Sequence, residues 1–415
     1  MLKRLSLLAA VCSIILVAGC NVLPPVTPPE PTGPSTGDVG VSYSFTAVTT
    51  DPQNLPLRYQ FDWGDARECD EWSHYAPSGE PVTMDHTWLK SGAYHVRVRA
   101  QNVSGRESEL SPAHVILIGS QSGYPDTVIA TIQAPGDPSD IGVLPDGKYA
   151  YTANGLSQYV AVVDIENRQV VKHITCGTNP YMLGVRPGGE YVYVTSEWDN
   201  EVTVIRTSDN SVVKKIPVGA CPHRLCFSPD GSRCYTANQN DSTVSVIRTS
   251  DNTVIATVAV GPTPRDVDCD GEYVYTANLY GTTLTKIRVS DNTVVGTIEL
   301  GFTAHRVRVK PGGEYVYASE YHGSRIAVVR ASDGTVVAVI QARDRVAGVC
   351  FLNGGAYMFV AGIGGSVLVV RTSDNTIIDS MPTGSGTIAL GTPADESFVA
   401  TADLCDETVT IIGRR

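Results

Sequence analysis

Cys221-Pro-His-Arg-Leu-Cys-Phe-Ser-Pro-Asp-Gly-Ser-Arg-Cys-Tyr-Thr-Ala-Asn238, followed after a short polar loop by Thr243-Val-Ser-Val-Ile-Arg-Thr-Ser-Asp-Asn-Thr-Val-Ile-Ala-Thr-Val258, decides the fold of this 415-residue chain. The stretch reads as four short apolar strands separated by a Pro-Asp-Gly turn, a polar loop and an Asp-Asn turn. The same pattern recurs from about residue 126 to the C-terminus. Its second aromatic falls at Tyr151, Tyr193, Tyr235, Tyr275, Tyr317 and Phe359, with Ala400 in the seventh slot, a period of about 41 residues. Four short strands per unit at that period are the mark of a β-propeller blade, so the reading is an all-β, seven-bladed propeller.

The ends of the repeat region predict how the ring closes. A lone strand, Asp126-Thr-Val-Ile-Ala-Thr-Ile132, matches the outer strand Asp251-Asn-Thr-Val-Ile-Ala-Thr-Val258, while the last unit stops after its third strand, Glu407 to Ile412. The N-terminal strand is therefore expected to complete blade seven and to remove an open sheet edge.

Turn chemistry repeats with the strands. Glu166-Asn167, Asp209-Asn210, Asp251-Asn252, Asp291-Asn292, Asp333-Gly334 and Asp374-Asn375 join third to fourth strands. Asn and Gly tolerate the left-handed conformation, and Asp caps such turns. Asp146-Gly147, Gly188-Gly189, Asp230-Gly231, Asp270-Gly271, Gly312-Gly313 and Gly354-Gly355 join first to second strands, with Asp395-Glu396 departing in the seventh unit. These rows of acids are expected to be structural. The formal charge of -12 argues against nucleic acid or anionic lipid as a partner.

Outside the repeats the chain divides into four segments. Residues 1–19 read as an export signal: Lys3 and Arg4 precede an apolar run ending Leu16-Val-Ala-Gly-Cys20. That ending resembles the bacterial lipobox, which implies lipidation of Cys20 and attachment to a membrane. Asn21 stands where the inner-membrane retention signal would have Asp, so an outer-membrane or cell-surface location is implied. Residues 20–38 are a Pro-rich tether, too poor in apolar residues to fold. Residues 39–118 form a separate small β domain, and 119–125 link it to the propeller at 126–415.

Two family resemblances carry the domain reading. Tyr59-Gln-Phe-Asp-Trp-Gly-Asp65, with His86-Thr-Trp88 and Gly92-Ala-Tyr94-His-Val-Arg-Val-Arg-Ala100-Gln-Asn102, resembles the polycystic-kidney-disease (PKD) repeat, an immunoglobulin-like sandwich. It departs at Ala66 and in the insert 67–81. Asp62 and Asp65, with Glu68 or Asp70, have the composition of a calcium site, although turn capping is the commoner use. The propeller units resemble the YVTN family, best in Gly219-Ala-Cys-Pro222, Phe227-Ser-Pro-Asp-Gly231, Tyr235-Thr-Ala-Asn238 and Val244-Ser-Val-Ile247. That resemblance implies fold and surface location. Related propellers include lactonases and denitrification enzymes, so fold alone does not settle function.

Function is therefore sought in the loops around one channel mouth. The first variable position carries Ser139, Tyr181, His223, Arg265, His305, Ala347 and Thr387; the next carries Asp140, Met182, Arg224, Asp266, Arg306, Gly348 and Ile388. Outer loops on that face add Trp198, Tyr280, Tyr321 and His322. Aromatics beside Arg and His on blades two to five have the composition of a recognition surface. The expected binding residues are Tyr181, Trp198, His223, Arg224, Arg265, Asp266, Tyr280, His305, Arg306, Tyr321 and His322. No catalytic residue, cofactor or metal is expected. The eight histidines are scattered, and His223 and His305 need not converge. No haem-attachment motif is present, and no Ser-His-Asp set has supporting spacing.

Cys226 and Cys234 flank a turn symmetrically and are expected to lie opposite each other on neighbouring strands, as buried thiols or as a disulfide. The reading is a lipid-anchored binding or scaffold protein with a protein or glycan partner. The alternative is a lactonase-like or lyase-like propeller enzyme, favoured if three or more carboxylates or imidazoles converge at the mouth.

Overall fold

The computed structural model describes residues 26, 28–38, 40–65, 72–89, 92–119 and 123–414. Cys20, Glu68, Cys69 and Asp70 lie outside the described residues. The chain divides into two compact units, Met1–Gln121 and Ser122–Arg415.

The first unit is two sheets around one core. Glu30–Thr32, Ser42–Val48 and Val82–Thr87 form one sheet; Thr36–Asp38, His114–Gly119, Gly92–Asn102 and Leu57–Asp62 form the other. Phe45, Tyr59, Phe61, Trp88, Val96, Val98 and Ile116 fill the core. The acids of the Asp-Trp-Gly-Asp stretch have protein partners. Asp62 accepts from the Gly64 amide at 3.0 Å, and Asp65 lies 3.1 Å from His86 Nε2. Gly64 has φ +73°, and a Cβ there would meet the backbone of His95 at 2.7 Å.

The second unit contains, among the described residues, seven four-stranded antiparallel sheets. Sheets one to six begin at Pro138, Pro180, Pro222, Pro264, Ala304 and Val346, and each takes its strands in chain order. Sheet seven consists of Thr387–Gly391, Phe398–Asp403, Thr408–Gly413 and, from the other end of the chain, Thr127–Gln133. The pairing runs from Thr408↔Gln133 to Gly413↔Thr127, so the expected closing strand is present. The first strand of every sheet packs beside the first strands of both neighbours, the seventh beside the first. The architecture is a multi-blade β-propeller.

Burial follows from this radial order. Second and third strands are sandwiched between neighbouring sheets, so Arg233–Asn238 and Thr243–Arg248 are buried on both faces rather than in alternation. Fourth strands such as Thr253–Ala259 face solvent along most of their length. Tyrosines tie one sheet to the next: the hydroxyls of Tyr151, Tyr193 and Tyr317 bond the amide oxygens of Asn210, Asn252 and Asn375 in the following sheet.

Two sequence expectations change in detail. Positive φ occurs at Asn210, Asn252, Asn292, Gly334 and Asn375 as the turn pattern requires, but in sheet one it falls on Arg168 rather than Asn167. Cys226 faces Tyr235, and Phe227 faces Cys234, so the two cysteines are out of register by one residue. A one-residue offset puts side chains on opposite faces of a sheet, and both thiols are free.

Candidate functional site at the channel mouth

The channel itself is closed by charge pairs. Asp140 accepts from Arg224 at 2.8 Å and from the Leu183 amide at 2.9 Å. Asp266 lies 3.1 Å from Arg308 and accepts from the Val307 amide at 3.2 Å. Arg306 donates to the Ala347 carbonyl at 2.8 Å; burial lowers its pKa to about 10, so it stays charged at neutral pH. The remaining axial cavity is about 10 Å³, room for at most about one water. Arg224, Asp266 and Arg306 were expected on a recognition surface. They are instead the plug of the channel, since first strands face the axis and side chains this long meet there.

One layer outward, residues from four sheets converge. Tyr181 meets His223 edge to face at 5.0 Å, and His305 meets Tyr321 at 5.4 Å. The Arg265 and Arg345 guanidiniums lie 5.4 and 6.0 Å from the centre of the Tyr321 ring. His223 is 2 % exposed and His305 6 %. Neither ring nitrogen of His223 has a hydrogen-bond partner, nor does Nδ1 of His305, Nε of Arg265 or Nε of Arg345. Burial, then the neighbouring Arg265 and Arg306, holds His223 well below its usual pKa; burial and Arg306 push His305 down to about 2. Both rings are therefore neutral. His223 packs on Tyr181 and His305 on Tyr321, so each histidine has its own aromatic neighbour.

Glu197 completes the group. Its Oε1 stands 3.8 Å from His223 Nε2, and its Oε2 accepts from Asn179 at 2.8 Å. Burial raises its pKa to about 7, opposed by Arg265 and the Asn179 bond. Sequence reasoning passed over Glu197 and Arg345. Aligning the repeats exposes the first: the slot after each second strand holds Gly155, Glu197, Gln239, Leu279, Tyr321, Ile363 and Leu404, with a single charge among them.

The backbone that delivers these side chains is strained. Asn179, Cys221 and Thr263, the residues just before the strands that carry Tyr181, His223 and Arg265, have φ of 55°, 55° and 53°. For a β-branched residue such as Thr263 this is a true outlier, and such strain clusters at functional sites. Trp198 and Tyr280 are 63 % and 81 % exposed, and His322 meets Tyr321 edge to face at 3.8 Å. Among the described residues no group of three or more His, Cys, Asp or Glu side chains lies within reach of one metal ion.

The opposite face holds a cleft of about 1090 Å³ that the repeat pattern did not foreshadow. Its origin is local. Lys286 stands where other third strands carry Val162, Val204, Val246, Val328, Val369 and Ile411, and its cross-strand partner is Gly296. Its ammonium lies 3.7 Å above Tyr273 and donates to the Ala331 carbonyl at 2.8 Å. Gly334 replaces the turn asparagine, and the Tyr275 hydroxyl has no partner, as the Tyr235 hydroxyl has none beside Asn292.

No protein-family model matches the chain, and no curated protein does. Among solved structures, a chain of the Kuenenia stuttgartiensis hydrazine synthase is similar, with a TM-score of 0.61 and 19% identity. The match covers 70% of this chain and 99% of that one. At that identity the likeness shows the fold, a multi-blade β-propeller, and no shared activity.

Proposed function

We propose that this chain is a lipid-anchored envelope or surface protein that acts as a binding or scaffold module and carries out no catalysis. In this reading Cys20 bears the anchor, residues 20–38 are the tether, and a PKD-like immunoglobulin-type domain precedes a seven-bladed propeller of YVTN type. The partner, a protein or a glycan, is taken by the mouth of the propeller. The observation that carries the reading is the cluster of Tyr181, His223, Arg265, His305 and Tyr321. Buried polar groups without partners cost roughly 1–3 kcal/mol each, a cost that folding leaves standing at this cluster. The anchor rests on the lipobox and on the basic start of the chain.

The test is capture from envelope fractions with the detergent-solubilised full chain, compared with Arg265→Ala and Tyr321→Ala. Both variants should lose the captured partner while melting like the parent. Equal capture by all three would remove the mouth from the binding role. Separately, Cys20→Ser should move the protein from membranes to a soluble fraction; retention after a salt wash would overturn the anchor.

A further inference from the structure

We infer that the group the channel mouth recognises on its partner is a carboxylate, which pairs with Arg265 and Arg345 beside the ring of Tyr321. This rests on the mouth being the binding face, and it adds the chemistry of the ligand. The chain is acidic overall, with formal charge -12, yet this spot is cationic. Among the described residues neither Arg265 nor Arg345 has an ion-pair partner within 4.0 Å, and each has a buried Nε without a hydrogen-bond acceptor.

The acids of the rim are committed elsewhere. Asp199 accepts from the Thr178 amide at 2.6 Å, Asp241 from Ala220 at 2.6 Å, Asp406 from Ser385 at 2.8 Å, and Asp344 from the Arg345 and Gly364 amides. They staple loops and leave the two guanidiniums free to meet an outside anion. Planar guanidinium forks match a carboxylate in geometry as well as charge.

The neutral imidazoles of His223 and His305 are 2 % and 6 % exposed and their vacant nitrogens are shielded from solvent, so the contacts open to a carboxylate are those of the half-buried Arg265 and Arg345. The plug of Asp140, Arg224, Asp266, Arg306 and Arg308 closes the floor, so the carboxylate enters and leaves by one side. One carboxyl shares the site with the two guanidiniums: Glu197, which is influenced by Arg265, lies 3.8 Å from His223 and accepts from Asn179 at 2.8 Å. Once Glu197 ionises, near pH 7, it repels an incoming anion.

The experiment is calorimetric titration of the detergent-solubilised full chain with acetate, benzoate and D-glucuronate. Acetamide, benzamide and D-glucose serve as uncharged counterparts, and inorganic phosphate as the competing anion. At least one carboxylate should bind at pH 6, more weakly at pH 8, with no heat from its uncharged counterpart. Arg265→Ala and Arg345→Ala should each weaken it roughly tenfold or more, and Arg265→Lys by less, with the melting temperature held. Three outcomes overturn the inference: no carboxylate binding at millimolar concentration, binding unchanged in both alanine variants, or phosphate binding tighter than every carboxylate. If none binds yet Arg265→Ala still loses the captured partner, the carboxylate assignment falls and the binding face stands. If carboxylate binds while capture is untouched, the partner reading falls instead.

Discussion

On the turn face of the propeller Asp209, Asp251, Asp291, Asp333 and Asp374 each pair with the arginine three residues earlier, at 2.6 to 2.9 Å. Each also accepts from the residue two positions on, as in Asp251 with the Thr253 hydroxyl. At the mouth, built from the same repeat, His223, His305, Arg265 and Arg345 leave buried nitrogens unpaired. Folding alone explains the acids of the first face, since each closes a turn; the buried oxygens without partners there are those of Tyr235, Tyr275 and Asn292. It does not explain the second, where the same scaffold carries vacant donors on strained backbone. Buried polar groups left unsatisfied in a native structure call for an explanation, and a function at that face supplies one.

The largest blow to this comparison is loss of the scaffold both faces share. Deleting residues 126–132 should open sheet seven along Thr408–Gly413 and lower the melting temperature by about 10 °C or more, followed by circular dichroism. A truncated chain that melts like the parent would mean that the ring does not depend on this strand.

Glu197 separates the faces by pH. Its folded pKa is raised from 4.5 to about 7, so the folded state holds its proton more tightly than the unfolded one. That contribution is fully present below pH 4.5 and is lost as pH rises to about 7, above which a charge is buried. Glu197→Gln should therefore stabilise the protein most at pH 8, by up to about 3 kcal/mol, and least at pH 5. Melting curves at the two pH values check it. An equal gain at both would show that Glu197 is ionised throughout this range.

A turn substitution should act in the reverse sense to a mouth substitution. Gly231 has φ +65° with no atom nearer than 3.5 Å to an added Cβ, so Gly231→Ala meets backbone strain alone. It should cost about 1 kcal/mol and leave capture and carboxylate affinity unchanged, where Arg265→Ala does the opposite. Loss of affinity in the glycine variant would couple the faces.

The smallest effect concerns the irregular cleft. Gly334→Asn restores the partner that Tyr275 lacks, at a φ of +73° that Asn tolerates, although Ile298 must yield from 3.1 Å. The expected gain is about 0.5–1 kcal/mol by melting temperature. A loss would show that the cleft is already packed around glycine.

Much of this was legible in the repeat. Its period, turn residues and unmatched N-terminal strand prescribed four-stranded sheets, their order and the strand that closes the ring, because each is written in local hydrogen-bonding needs. The residues around the mouth were legible as a set, since the opening positions of each first strand vary while the turns do not. Their roles were not. Whether a first-strand side chain faces the axis, as Arg224, Asp266 and Arg306 do, or the rim, as Tyr181 and Arg265 do, depends on how sheets converge around the ring. The bulge that sets Cys226 against Tyr235, the approach of His223 to Glu197, and the cleft opened by Lys286, Gly296 and Gly334 arise between strands far apart in the chain. The sequence by itself determined the repeating scaffold, because turns and strand patterns act over a few residues. Only the tertiary structure decided which polar groups are left unpaired, because burial and partnership are properties of neighbours that the chain brings together last.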